Sequence, residues 1–263
     1  MTRLIRAVLA GIVVLTDATT VWMNEYQLSA TAADGRTVNF RIDPMNDNSV
    51  VKATEASSSY TFADTVAWDL GLVTIGDRDS VLGLSPKSTF IDTHQVVTII
   101  PAKGKFIVGA YDASADCASG AMIFVPQAAG ADKWKLPLFW NASTFESSDV
   151  EFDLGYFENS FIVPRPLSRD FYLHFQRQIQ IFEDRGETYT TAQARTEVPV
   201  IHLTVGEFDV SMTPDEYVVG SGEPDTDFGF SQTRDPQLPQ WVLSKMIVQL
   251  DATNNRVGVC IPA

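Results

Sequence analysis

The sequence predicts an all-β fold, and three observations support this. Short stretches of alternating or continuous apolar residues recur along the chain, and turn-forming residues separate them. Only one segment shows a clear helical period. The predicted strands are residues 37–42, 96–100, 106–111, 121–125, 198–205 and 256–261, and the turn signals are Asp34-Gly35, Gly76-Asp77, Ser119-Gly120 and Gly220-Ser221-Gly222.

Helices are expected to be few and short. Phe171, Phe175 and Ile179 recur at every fourth position, which places them on one face of a helix. Ser168, two residues after a proline, is the predicted N-cap of this helix. A second helix is expected near residues 87–95.

The composition is that of a globular protein with an acidic surface. The chain has 263 residues, with 19 Lys and Arg against 33 Asp and Glu, for a formal net charge of −14. This length allows one large domain or two lobes. A nucleic-acid-binding surface needs a basic patch, and the basic residues here are scattered singly. Nucleic acid and anionic membranes are therefore not expected as partners.

The first 18 residues have the pattern of a secretory signal peptide. Arg3 and Arg6 precede an apolar run at residues 7–15, and small side chains follow it at residues 16–18. The apolar run is too short to span a bilayer as a helix. The alternative interpretation is a buried N-terminal strand. We expect a secreted protein without a membrane anchor.

Two cysteines and one glycosylation motif agree with secretion. Cys117 and Cys260 are the only cysteines, and an even number in a secreted chain predicts one disulfide. Two buried free thiols are the alternative. Asn141-Ala142-Ser143 is an acceptor sequence for N-glycosylation, so Asn141 is a candidate modification site.

Several kinds of functional site are not expected from the sequence. His94, His174 and His202 are far apart and have no metal-ligand spacing, so we interpret them as structural. The acidic segment 223–227 lacks the spacing of a calcium loop and is interpreted as a solvated turn. Motifs of nucleotide-binding loops and of serine hydrolases are absent from the sequence. No cofactor or metal ion is expected.

Asp43 and Asp153 are the candidate catalytic residues. Each follows a short apolar strand, at the point where the chain must turn. If two such turns face each other, the carboxyl groups can share a proton. One carboxylate would then activate water while the other donates to a carbonyl oxygen. Alternatively, each aspartate caps its own turn through hydrogen bonds to the backbone.

The C-terminal segment begins with Trp241-Val-Leu-Ser244 and continues through Asp251-Ala-Thr-Asn254 to Arg256-Val-Gly258. It resembles the end of pepsin-like aspartic peptidases, where W-I-L-G-D leads to F-D-x-x-x-N-x-x-G. Other segments resemble the family in the same order: residues 24–43 (opening strands into the first D-T-G), 81–84 (V-L-G-L), 161–164 (F-I-V-P), 198–205 and 213–217. The resemblance implies a bilobal β-barrel or sandwich, and aspartic endopeptidase activity at acid pH that uses Asp43 and Asp153.

The motifs that carry catalysis in this family are altered here. Asp43-Pro44-Met45-Asn46 stands where the family has D-T-G-S, so the threonine hydroxyl and the glycine are both lost. Asp153-Leu154-Gly155 keeps the aspartate and the glycine of the second motif but loses its threonine. A different alignment places residues 156–158 there and leaves no second aspartate. Ser244 replaces a glycine of the closing motif.

The resemblance also divides the chain into an N-terminal lobe at about residues 19–125 and a C-terminal lobe at about 126–263. The interval from Asp43 to Gly83 is less than half as long as that from Asp153 to Ser244, so the first lobe is shortened. The shortening lies where the family has a flap that carries a tyrosine. Tyr60, the only tyrosine there, lacks the neighbouring glycines of a flap and is interpreted as a strand residue.

These departures predict an impaired enzyme. Loss of a proton-transfer partner costs about 10²–10⁴ in rate, and misplaced carboxylates and a missing flap cost more. We expect a secreted, monomeric homologue that binds a peptide or protein through its cleft or surface without efficient cleavage. The alternatives are an active endopeptidase and a structural secreted protein without a cleft ligand. The short interval before the first strand leaves almost no room for a propeptide, which favours an inactive protein.

Overall fold

The computed structural model describes residues 18–24, 26–57, 59–62, 66–67, 73–74, 79–143, 145, 147–155, 161–222, 225–228, 230–231 and 235–263. The predicted signal peptide, apart from its last residue, lies outside the described residues. The Gly76-Asp77 turn and residues 156–158 of the alternative second motif also lie outside them. In the described part of the chain, no helix is long and apolar enough to cross a membrane.

Strands dominate the structure, as the sequence predicts. Up to residue 126 they are β1 (Thr19–Asn24), β2 (Gln27–Ala32), β3 (Thr37–Asp43), β4 (Val50–Val51), β5 (Tyr60–Phe62), β6 (Val66–Ala67), β7 (Val73–Thr74), β8 (Val81–Gly83), β9 (Val96–Ile100), β10 (Lys105–Val108) and β11 (Ile123–Pro126). They continue with β12 (Lys135–Asn141), β13 (Ser148–Leu154), β14 (Phe161–Ile162), β15 (Ile201–Val205), β16 (Phe208–Met212), β17 (Val218–Gly222), β18 (Asp225–Phe228), β19 (Phe230–Ser231), β20 (Gln237–Leu238), β21 (Ile247–Asp251) and β22 (Arg256–Cys260). The six predicted strands are all confirmed, with ends shifted by a few residues.

The turn predicted at Gly220-Ser221-Gly222 is wrong, and so is the part of the predicted acidic turn that is described, residues 225–227; residues 223–224 lie outside the described residues. The glycines at 220 and 222 belong to β17, which pairs antiparallel with β18 and has a register irregularity between them. Glycine suits such an irregularity because it lacks a Cβ. Asp225 and Asp227 lie in β18 rather than in a solvated turn.

The α-helices are α1 (Thr89–His94), α2 (Arg165–Asp184), α3 (Thr191–Glu197), α4 (Pro214–Tyr217) and α5 (Gln240–Leu243). The second predicted helix is confirmed as α1, and the Ser88 hydroxyl caps it by accepting the Ile91 N–H at 3.2 Å.

The longest helix, α2, differs from its prediction in both length and start. It has 20 residues, so the expectation of short helices is wrong here. It begins before Ser168, because Pro166 sits in the first turn, where a backbone N–H is not needed. Ser168 is therefore inside the helix, and its hydroxyl donates to the carbonyl of Arg165 at 3.2 Å.

The largest sheet has 13 strands and continues through most of the molecule. The path of this sheet is β11-β22-β21-β9-β10-β1-β2-β3-β8-β4-β7, with β5 and β6 attached beside β2. The pairs from β11 to β1 are all antiparallel, so strands from both ends of the chain share one layer. β21 is buried along its whole length, which shows that this layer is covered on both faces.

A strand pattern in the 13-stranded sheet recurs in the second sheet. The second sheet has the order β16-β15-β12-β13-β20-β14-β19, and β17 and β18 form a separate pair. The run β2-β3-β8-β4-β7 in the first sheet matches β12-β13-β20-β14-β19 in the second, with the same sequence of antiparallel, parallel, antiparallel and parallel pairs. The chain therefore contains a topological repeat, and Asp43 and Asp153 lie near the ends of corresponding strands.

Aromatic side chains fix α2 against the second sheet. The ring of Phe171 in the helix meets Trp140 of β12 edge to face at 6.1 Å. It also stacks on Phe145 at 4.3 Å and contacts Tyr217 at 5.8 Å. Such pairs contribute about 0.5–1.5 kcal/mol each beyond the burial of their area.

The predicted disulfide between Cys117 and Cys260 is confirmed. Their Cα atoms are 5.7 Å apart, and the bridge closes a loop between residues separated by 143 positions. Both cysteines are buried, and Cys260 ends β22. The bridge ties the segment before β11 to the last strand of the same sheet.

We predict that replacing both cysteines (Cys117→Ala, Cys260→Ala) lowers the free energy of unfolding by about 5 kcal/mol, because the open chain gains loop entropy. Urea denaturation followed by tryptophan fluorescence measures the change. Cys117→Ala alone should destabilise the protein about as much, since either substitution breaks the same bridge. A wild-type midpoint that does not change when a reductant is added would contradict this prediction.

Candidate functional site

Asp43 lies where β3 ends between two neighbouring strands. β2 pairs with β3 on one side, and β8 pairs with it in parallel on the other, with Asp43 opposite Gly83. The carbonyl of Asp43 accepts the Leu84 N–H at 2.8 Å. The aspartate is buried, with 8% of its surface exposed.

The Asp43 carboxyl group interacts with its own turn. Its Oδ1 accepts the backbone N–H of Met45 at 2.9 Å, which is the turn-capping role given above as an alternative. Burial raises the pKa of this carboxyl to about 6, against the lowering effects of the Met45 hydrogen bond, the Arg41 charge and a hydrogen bond with Asn46. A proton is therefore retained at mildly acid pH.

Gly83 allows the turn after Asp43 to pack closely on β8. A Cβ at this position would lie 2.7 Å from the carbonyl oxygens of Asn46 and Asn48. The Gly83 N–H also donates to the Ser49 hydroxyl at 3.2 Å. Residue 83 must therefore be glycine for the segment 46–49 to keep this position.

Asp153 has the corresponding place in the second sheet but a different electrostatic environment. It is 2% exposed, lies opposite Gln237 of the parallel strand β20, and donates its N–H to the carbonyl of Pro236 at 2.8 Å. Its Oδ2 accepts a hydrogen bond from Lys133 Nζ at 2.6 Å. Lys133 Nζ also lies 3.3 Å from Asp235 Oδ2. Hydrogen bonding to Asp153 raises the pKa of Lys133, so the ammonium stays charged.

The structure brings the turns after the two candidate residues together. A Cβ on Gly155 would lie 3.3 Å from Met45 Sδ and 3.0 Å from Gln237 Oε1. Met45 follows Asp43 by two residues and Gly155 follows Asp153 by two. The thioether of the first turn therefore packs against the second turn, and a side chain at Gly155 would displace it.

Two hydrogen bonds hold these regions together. Trp134 Nε1 donates to the carbonyl of Leu84 at 2.6 Å, and the carbonyl of Trp134 accepts the Leu154 N–H at 3.1 Å. Trp134 is 1% exposed and thus links the segment after β8 directly to the end of β13. Tyr26 makes a further link through its hydroxyl to the carbonyl of Gln240 at 3.3 Å.

Sequence reasoning missed Lys133. The lysine precedes Asp153 by 20 positions and no motif joins them. The pairing of β12 with β13, which places Lys135 opposite Asp153, brings Lys133 to the carboxylate. Only knowledge of this register would have revealed the contact.

A groove of about 520 Å³ opens beside Lys133. The chain segment 126–133 forms much of its wall, and Glu151 and Asp235 line it as well. Its volume is within the range of pockets that hold small ligands. The groove is therefore the candidate binding surface next to the Lys133–Asp153 ion pair.

The other predicted residues have structural positions. Tyr60 lies in β5, is 2% exposed, and donates its hydroxyl to the Glu55 carbonyl at 2.9 Å, so the interpretation as a strand residue is confirmed. His174 lies in α2, and His202 Nδ1 is 3.1 Å from Asp209 in the neighbouring strand. Asn141 is exposed at the end of β12, where a glycan has access.

Among the residues that the structure describes, no group of three His, Cys, Asp or Glu side chains could hold a metal ion. No model of a known protein family matches the chain. No curated protein matches it at a significant level.

We predict that Asp43→Asn makes stability less dependent on pH. The ordinary pKa of the Asp43 carboxyl is 3.8, and in the folded protein it is about 6. Between these two pH values the folded protein keeps the proton on Asp43, whereas the unfolded chain has lost it. This contribution to stability is complete below about pH 4 and is lost as the pH rises past about 6. Between pH 4 and pH 7 the free energy of unfolding of the variant should rise by about 3 kcal/mol relative to that of the wild type. Urea unfolding at each pH measures the difference.

Asp149→Asn is the matched control, because Asp149 is exposed on β13. Its stability should follow that of the wild type at every pH. An Asp43→Asn variant that retains the wild-type pH dependence would contradict the prediction.

Proposed function

We propose that the chain is a secreted, pepsin-like aspartic peptidase homologue with little or no peptidase activity, which binds a peptide or protein. The observation that carries the proposal is the 2.6 Å ion pair between Lys133 Nζ and Asp153 Oδ2. A catalytic pair of aspartates shares one proton between like carboxyl groups. Here a lysine ammonium neutralises the charge of Asp153, so a shared proton is not needed to relieve repulsion between the two carboxylates.

The topological repeat supports the pepsin-like part of the proposal. A bilobal peptidase of this family supplies one aspartate from each lobe, and here the two copies of the strand pattern each carry one near the end of the corresponding strand. The contact between Met45 and Gly155 brings the two turns to one place. These features agree with the ordered sequence resemblance.

The residues that replace the family's threonines support the loss of activity. Pro44 and Leu154 are both buried and carry no hydroxyl. Their side chains therefore cannot brace the two turns by hydrogen bonds. Asp43 in turn is held by the Met45 N–H rather than by the second aspartate. A misplacement of about 1 Å can cost on the order of 10² in rate.

The groove beside Lys133 is the proposed ligand site. It is lined by both charged and small residues, among them Lys135, Glu151 and the alanines of the segment 128–131. A peptide offers backbone donors and acceptors together with side chains of either charge, which suits such a mixed surface. The disulfide supports an extracellular location, because bridges of this kind persist in oxidising compartments.

We predict that the purified protein leaves denatured globin intact from about pH 3 to pH 7, the range that covers titration of both carboxyl groups. Gel electrophoresis and the release of peptides measure cleavage. Asp43→Asn and Asp153→Asn should give the same background as the wild type. Cleavage by the wild type that both substitutions abolish would establish the active endopeptidase instead.

We also predict that the immobilised protein enriches peptides from a random phage library, and that Ala129→Trp weakens their binding at least about tenfold by filling the groove. Fluorescence polarisation with a labelled, selected peptide measures the affinity. Ala102→Trp, at an exposed position outside the groove, should leave it unchanged. A library that yields no enriched peptide, or equal binding by Ala129→Trp, would favour a structural protein without a cleft ligand.

A further inference from the structure

A second groove, of about 280 Å³, crosses the outward face of β1, β2, β3 and β5. β1 and β5 both pair with the same edge of β2, β1 at its start and β5 at its end. The groove lies where these two strands meet β2, and the buried Val21 and Ala30 form part of its lining. It does not include Asp43, Asp153 or Lys133.

Three threonines form a row across this face. Thr31 of β2 lies opposite Thr37 of β3 and opposite Thr61 of β5. Neighbouring strands are about 4.8 Å apart, so the three threonine side chains stand side by side at about that spacing. A second row begins two residues along, where Ser29 lies opposite Asn39 and donates its hydroxyl to Asn39 Oδ1 at 2.7 Å.

Trp22 borders the rows with a flat apolar surface. It is 69% exposed, although Val21 and Met23 on either side of it are buried. The alternation of a strand turns it outward, and nothing in the described part of the chain covers it. A tryptophan left in water forgoes a large gain from burial, which a ligand with a flat apolar face can recover.

The lining of the groove is uncharged and carries hydroxyl groups, which suits a neutral ligand rich in hydroxyl groups. None of the residues that line it is charged, although the chain carries a net charge of −14. An anionic or cationic ligand would therefore find no ion-pair partner among the residues that line the groove. Serine and threonine hydroxyls both donate and accept, as sugar hydroxyls do.

We propose that this groove binds a neutral oligosaccharide, with one pyranose ring stacked through its C–H face on Trp22 and neighbouring hydroxyl groups bonded to the threonine row. Two residues along a strand span about 7 Å, so both rows fit one or two sugar rings. The volume lies near the lower end for ligand pockets and agrees with a short stretch of chain. The site is independent of the function proposed above, and failure of one leaves the other standing.

Isothermal titration calorimetry with the neutral hexasaccharides of cellulose, chitin, β-1,3-glucan and mannan tests the proposal. We expect at least one of them to bind with a dissociation constant of about 0.1–1 mM. Trp22→Ala should weaken that binding at least about tenfold, and Thr31→Val, which removes a hydroxyl at constant shape, about threefold.

Phe139→Ala is the matched control, because Phe139 is an exposed aromatic residue on the other sheet. It should bind like the wild type, and equal thermal midpoints would show that all variants are folded. The proposal is overturned if no hexasaccharide binds at about 5 mM, or if Trp22→Ala binds as the wild type does. Self-association of the wild type that Trp22→Ala abolishes, without sugar binding, would overturn it by assigning the face to a second copy.

Discussion

The insertion of a parallel strand beside each aspartate-bearing strand sets the geometry of the molecule. β8 takes the free edge of β3, and β20 takes that of β13. Each aspartate-bearing strand then has partners on both sides near its carboxyl end, so its backbone is held on both edges. Backbone hydrogen bonds continue past this point, from Leu84 to the carbonyl of Asp43 and from Gly155 to that of Leu238. Strand pairing thus fixes the position of the two buried carboxyl groups at corresponding places in the two sheets.

The relation between the two repeated units depends on elements outside them. The antiparallel run from β11 to β1 continues the sheet of the first unit, and the disulfide secures it at Cys260. Trp134 then joins the segment after β8 to the end of β13 through its indole N–H and its own carbonyl. With these connections fixed, the turns after Asp43 and Asp153 meet, and Met45 packs against Gly155.

Local features of the structure follow from the sequence, and long-range ones other than the disulfide do not. Alternating patterns such as residues 37–42 and 256–261 specify strands, because one face of each must be buried. The capping of the turn by Asp43 was one of two alternatives that local pattern allows. The predicted start of α2 is wrong. Serine is a common N-cap, so the sequence predicts a start at Ser168, but the helix begins at Arg165 with Pro166 in its first turn. Lys133 and Trp22 were both missed. The contact of Lys133 with Asp153 depends on strand register. The exposure of Trp22 depends on which face of β1 is outward, and the alternating sequence does not reveal this.

The two aspartates reduce the cost of burial by different means. The charged form of the Asp43 carboxyl is poorly solvated because the side chain is buried. Its pKa is therefore raised, and the carboxyl takes up a proton more readily. For Asp153, a lysine ammonium at 2.6 Å compensates the charge, and removing such a partner from a buried ion pair costs about 3–5 kcal/mol. Two carboxyl groups that share a proton titrate as a coupled pair. Here each has a partner within its own half of the repeat, the Met45 N–H for Asp43 and the Lys133 ammonium for Asp153, so each buried carboxyl group is compensated locally.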